Sequence, residues 1–208
     1  MAARLTKIDA LTLPDHRYLA AEDECYYLGE YSARKGYAYS QTNDLIQNFK
    51  KPVSRRDLPE YRYKLLAVDR AGAALRESLR EEFLRVATLV PIPPSKARDD
   101  ALYDDRLLRL LHALGQSLDV DIRELVIQTD STEAFHDSVS RPTPDFLVSR
   151  YSIDESLTDP EPSIIALFDD VLTTGAHFRA ATRVLRGRFP DVPLVGIFLA
   201  RCAPDPSA

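Results

Sequence analysis

The stretch 163–200 constrains this chain more than any other part of it. Ser163-Ile-Ile-Ala-Leu-Phe168 is a continuous apolar run, and Pro193-Leu-Val-Gly-Ile-Phe-Leu-Ala200 is another. Between them, residues 177–188 place Phe178, Ala181, Val184 and Leu185 on one side of a helix that Pro190 ends. Apolar runs without alternation belong to strands buried on both faces. Strand, helix and strand at this spacing form a βαβ unit. That unit demands a parallel sheet with helices on both sides.

The joint of this unit, Asp169-Asp-Val-Leu-Thr-Thr-Gly-Ala176, reads as a turn and carries chemistry. Ligands of parallel sheets bind beyond the carboxyl ends of the strands. A helix start offers unpaired N–H groups and the positive end of a dipole, which suit a phosphate. Thr173 and Thr174 add hydroxyl donors, and Gly175 lets the backbone come close. Asp169 and Asp170, one loop away, suit sugar hydroxyls or waters on Mg²⁺. A phosphate site beside a diol site describes a ribose 5-phosphate. A merely capped helix would need one such residue, whereas two acids, two threonines and a glycine crowd this joint.

Composition narrows the rest. The chain has 208 residues, 45% of them hydrophobic and 28% charged, which excludes disordered and fibrous classes and predicts one domain. A formal charge of −5 leaves no general footprint for duplex nucleic acid. Cys25 and Cys202 cannot supply a four-ligand zinc site or a disulfide framework. The first residues lack the apolar core of a signal peptide, and no run approaches the roughly 20 apolar residues of a membrane span. A cytoplasmic protein with no membrane partner is expected.

Upstream, CYYLGEYS (25–32) reads as a strand, followed by a turn at ARKGY and a second short strand through Tyr39. Residues 61–83 have helical spacing through Leu65, Leu66, Val68, Ala71, Leu75 and Leu79. RVATLVPIPP is a buried strand, SKARDD a polar loop, and Leu107, Leu108, Leu110, Leu111 and Leu114 stripe a second helix that stops near Gly115. IRELVIQT and DFLVSRYSI read as strands around a long polar loop, TDSTEAFHDSVSRPTPD, of the length that is usually functional or disordered.

Phe168-Asp-Asp-Val-Leu-Thr-Thr-Gly-Ala176 resembles the phosphoribosyl pyrophosphate (PRPP) signature of type I phosphoribosyltransferases. The resemblance implies a three-layer α/β fold: a central, mostly parallel sheet flanked by helices. It also implies a small N-terminal hood, about residues 15–58, over a core of about 59–202. It assigns Leu172, Thr173, Thr174, Gly175 and Ala176 to the 5-phosphate, and Asp169 and Asp170 to the ribose hydroxyls as catalytic acids. Val90-Pro-Ile-Pro-Pro-Ser-Lys-Ala-Arg98 is similar to the run found in the ComF-like, amidophosphoribosyltransferase-related branch. Ser95, Lys96 and Arg98 are then pyrophosphate ligands, although Arg98 reads equally as part of a solvated mixed-charge loop. Residues 129–141 stand where the family has its flexible catalytic loop. Arg141 resembles the arginine near its end, without the usual preceding glutamine. His136 and Asp137 lie inside it. In place of the cysteine zinc module of ComF-like proteins, this chain has residues 26–51. There Arg34, Lys35, Tyr37, Tyr39 and Asn43 either approach an acceptor or form a tyrosine-bearing hairpin on the core.

The implied activity is Mg²⁺-dependent transfer of ribose 5-phosphate from PRPP to a nitrogen nucleophile, with loss of pyrophosphate. The resemblance also implies a homodimer. Two other readings stay open. One is a PRPP- or nucleotide-sensing protein without turnover. The other is a ComF-like accessory of DNA uptake or defence, for which Arg34, Lys35, Lys50, Lys51, Arg55 and Arg56 with interleaved tyrosines make a single-strand surface. Among the histidines, His112 reads as structural, His177 adjoins the phosphate joint, and His16 has no assignment.

Overall fold

The computed structural model describes residues 4–116, 118–131 and 142–204. Their elements are β1 (Thr6–Lys7), β2 (Glu24–Ser32), α1 (Gln41–Phe49), α2 (Arg62–Ser78), α3 (Glu81–Val86), β3 (Thr88–Pro91), α4 (Arg106–Leu114), β4 (Asp121–Ile122), β5 (Val126–Gln128), α5 (Pro144–Val148), β6 (Tyr151–Ile153), β7 (Ile165–Leu172), α6 (Ala176–Arg188) and β8 (Leu194–Ala203). Six strands form one sheet in the order β1-β2-β8-β7-β3-β4, while β5 and β6 pair separately. Every neighbour in the large sheet is parallel except β1 against β2.

The two apolar runs behave as their composition demands. β7 and β8 are nearly buried throughout and pair parallel across the helix that joins them. One face of the sheet packs Ile165, Leu167 and Phe198 against Phe178, Ala181 and Leu185 of α6 and Leu147 of α5. The other face packs Leu89, Ala166, Phe168 and Ile197 against Ile46 and Phe49 of α1, Ala67, Ala71 and Leu75 of α2, and Leu110, Leu111 and Leu114 of α4. The molecule is an α/β fold whose mostly parallel central sheet has helices on both faces.

Several local expectations are corrected. β7 runs through both aspartates to Leu172, so the joint contracts to three residues before α6. The long helix expected over 61–83 breaks at Leu79, which is extended, into α2 and α3. The strand expected through Tyr39 is a 3-10 turn, Tyr37–Tyr39, and α1 follows where the spacing predicts no helix. The first half of DFLVSRYSI is α5, capped by Thr143 with Pro144 in its first turn, where proline fits. The strand expected over 25–32, by contrast, is present as β2, and it lies inside the large sheet, paired with β8 along its whole length.

Two crossovers leave the middle of the sheet in opposite directions. After β3 the chain passes through α4 on one face to β4, and after β7 it passes through α6 on the other face to β8. The carboxyl ends of the adjacent strands β3 and β7 therefore open a crevice, the topological switch point where ligands of such sheets bind.

Candidate active site at the switch point

The loop after β7 occupies this crevice. Gly175 adopts φ +82°, a left-handed conformation that costs other residues about 1–2 kcal/mol. It is also the N-cap residue of α6 and supplies no side-chain cap, so the first turn keeps its N–H groups for another acceptor. Thr173 and Thr174 are half-buried on the approach.

The two aspartates differ sharply. Asp170 is 3% exposed. Arg106 Nε and Nη2 donate to its Oδ2 at 3.1 and 2.7 Å, and Lys50 Nζ donates to Oδ1 at 3.1 Å. Arg106 also holds Asp104 at 2.6 Å, and Asp104 takes Lys64 Nζ at 2.7 Å. Lys64 is itself 3% exposed and donates to the Lys51 carbonyl at 2.7 Å. A chain of alternating charge thus ties α1, α2, the start of α4 and β7 together. Burial alone would raise the Asp170 carboxyl, but the Lys50 and Arg106 charges outweigh it and hold it well below the usual range. Asp169 has no such ion pair among the described residues. Burial, and then the Asp170 charge, push its carboxyl well up. Beside it, Tyr151 on β6 hydrogen-bonds His177 Nδ1 at 2.8 Å, and burial lowers His177 to about 4, so the imidazole is neutral at pH 7.

The loop after β3 forms the other wall. Ser95 presents its carbonyl to Gln128 Nε2 at 2.8 Å, and Ala97 N–H donates to Ser131 Oγ at 3.1 Å. Lys96 lies 3.9 Å from Asp100. Arg98 turns away: Asp154 holds it at 2.9 Å and Glu124 at 3.4 Å, which leaves it bracing the connections around β5 and β6. Arg141, with His136 and Asp137, lies outside the described residues.

Arg34, Lys35 and Tyr37 follow β2 and so share the carboxyl edge of the sheet, two strands from β7. Buried Asn43 fixes their turn by bonding both backbone groups of Ser32 and the Lys35 carbonyl, which Gln47 also reaches. Arg34 is exposed with φ 65°, an uncommon conformation for a non-glycine residue. Tyr37 and Tyr63 both face the Lys51 ammonium, at 5.1 and 5.7 Å. Lys50, one residue earlier, links this surface to Asp170. The residues assigned to 5-phosphate and acceptor thus share one edge with Ser95 and Lys96, while Arg98 of the pyrophosphate group does not join them.

Sequence reasoning misses Lys64, Asp104 and Arg106 as site residues, and it places Lys50 only on a single-strand surface, not against Asp170. Their signal is weak: Asp104, Asp105 and Arg106 stand together after Tyr103, but their partners lie far along the chain. Among the described residues, no three His, Cys, Asp or Glu side chains come together to hold a metal ion. No helix among them is long and apolar enough to cross a membrane. No protein-family model matches the chain, and no curated protein matches it either.

Proposed function

We propose that this protein binds PRPP at the β3–β7 crevice and transfers its ribose 5-phosphate to a nitrogen nucleophile. One observation carries the reading: a left-handed glycine loop opens an uncapped helix at the switch point, directly after two adjacent carboxylates. That arrangement suits a phosphate monoester on α6 with the sugar ring over the end of β7.

The roles follow from the surroundings. The backbone from Leu172 to Ala176, with the Thr173 and Thr174 hydroxyls, takes the 5-phosphate. Asp169 is the acid left for the ribose hydroxyls, because Asp170 is engaged by Arg106 and Lys50 and anchors the strand end. Lys96 and the Ser95 loop receive the pyrophosphate. The bond from C1 to the pyrophosphate oxygen breaks, pyrophosphate leaves with the electron pair, and the acceptor nitrogen bonds to C1. Charge neutralisation of the leaving group and exclusion of water supply the catalysis. Magnesium would enter as part of the Mg·PRPP substrate, near Asp169 and Asp170. A homodimer and a cytoplasmic location belong to the same proposal.

Arg98 favours a second reading, binding without turnover, because its charge is answered by Asp154 and Glu124. Calorimetric titration of Mg·PRPP tests the first half of the proposal. Wild type should bind, and Thr173→Val/Thr174→Val should bind about tenfold more weakly or worse, as loss of charged-group hydrogen bonds predicts. A folded wild type that binds nothing would sink the proposal. A screen of nitrogenous acceptors for pyrophosphate release then separates enzyme from sensor.

A further inference from the structure

We propose that His16 is a positioning residue for the phosphate loop: its Nδ1–H holds the Thr173 carbonyl away from the ligand, so that the loop's N–H groups face it. This rests on the reading of residues 173–176 as a phosphate cradle.

A peptide unit points its N–H and C=O in opposite directions. A loop that aims N–H groups at an anion must therefore send its carbonyls backwards, where each needs a donor. The chain supplies two donors from one segment. His16 Nδ1 meets the Thr173 carbonyl, and Tyr18 N–H donates to the Thr174 carbonyl at 2.9 Å. Leu19 fills the space behind Gly175, where an added Cβ would stand 2.9 Å from its Cδ2.

The segment is itself pinned from both sides. Arg179 on α6 donates to the Tyr18 carbonyl at 3.0 Å and to Asp23 at 2.6 Å. Arg201 on β8 donates to Asp15 at 2.8 Å. The strap thus ties the loop to the helix and the strand that follow it.

His16 is fully buried, and only an N–H can satisfy a carbonyl, so Nδ1 carries the ring proton. Nε2 is then a buried acceptor with no hydrogen-bond partner among the described residues. An unsatisfied buried nitrogen is a cost that an apolar residue here would avoid. A leucine would fill the space and leave the Thr173 carbonyl without its donor. The donor at Nδ1 is what the histidine contributes.

The geometry selects its own control. An asparagine amide can occupy the Nδ1 position, whereas a glutamine amide reaches the Nε2 position. Ribose 5-phosphate and pyrophosphate should be titrated separately into wild type, His16→Asn and His16→Gln. Wild type and His16→Asn should bind ribose 5-phosphate alike, His16→Gln about tenfold more weakly, and all three should bind pyrophosphate equally. Equal ribose 5-phosphate affinity in all three proteins overturns the role of His16 and leaves the phosphate cradle standing. Joint loss of both ligands and of thermal stability in both variants overturns it too, since that marks a purely structural histidine. A folded wild type that binds no ribose 5-phosphate overturns the cradle itself. If His16→Gln does not fold, Arg179→Gln loosens the other end of the strap. It should weaken ribose 5-phosphate and spare pyrophosphate, and unchanged affinity there also overturns the proposal.

Discussion

Asp169 and Asp170 are adjacent carboxylates placed in opposite electrostatic surroundings, and that difference is measurable. Asp169 has a raised folded-state value, so the folded chain keeps a proton that the unfolded chain has already lost above the ordinary value of 3.8. Stability must then fall as pH rises through that window. Asp170 has a depressed value. Its contribution is present above 3.8 and is lost as pH falls below it. Unfolding free energies from about pH 4 to about pH 8 should therefore show Asp169→Asn gaining on wild type as pH rises. Asp170→Asn should be destabilised by about 3 kcal/mol near neutrality, since it leaves Arg106 and Lys50 without their buried partner. Parallel stability curves for wild type and Asp169→Asn would refute the assignment. The sequence displays the two acids as one unit. What separates them are partners 64 and 120 positions away, which no local pattern connects.

The loop between β7 and α6 behaves as a part clamped from behind by the strap. Gly175→Ala should cost about 2 kcal/mol, from the left-handed backbone and the approach to Leu19. Leu19→Ala should relieve only the steric part, so a double-mutant cycle by denaturant unfolding should give a coupling of about 0.5–1 kcal/mol. Strict additivity would mean that Leu19 does not lie over the loop. Elements with strong apolar periodicity are legible in the amino-acid order alone: β3, α4, α6, β8 and the parallel relation of the last two strands. α1 is not, because its apolar side is marked by Leu45, Ile46 and Phe49 alone, too few to show a period, and its start is signalled by Ser40, which caps Asn43 N–H. α5 reads as a strand because its apolar residues are too few to show a period, although Thr143-Pro144 is a usable helix-start signal. The strap is illegible for a different reason. Its polar residues bond to a loop more than 150 positions away.

At the scale of the molecule, the placement of β2 decides how the chain should unfold. The resemblance implies a hood of about residues 15–58 over a core. Yet β2 pairs with β8 from Glu24 to Ser32, and α1 buries Ile46 and Phe49 in the same apolar cluster as β3, β7 and α4. Arg201, near the end of β8, also grips Glu30 and Asp15. The apolar side chains of that region are shared with the sheet and form no core that could melt separately. Calorimetry should therefore give one transition, with matching calorimetric and van't Hoff enthalpies. A distinct early transition that is lost when residues 15–58 are destabilised would show a separable hood instead. A ligand of the native crevice should raise that single midpoint as a whole. At a free Mg·PRPP concentration about 100 times its Kd, linkage adds about 2.7 kcal/mol. For a chain of this length that corresponds to a rise of about 5–10 °C. The same addition should move Thr173→Val/Thr174→Val far less at equal ligand concentration. An equal shift in both proteins would place the binding elsewhere than on the β7–α6 loop.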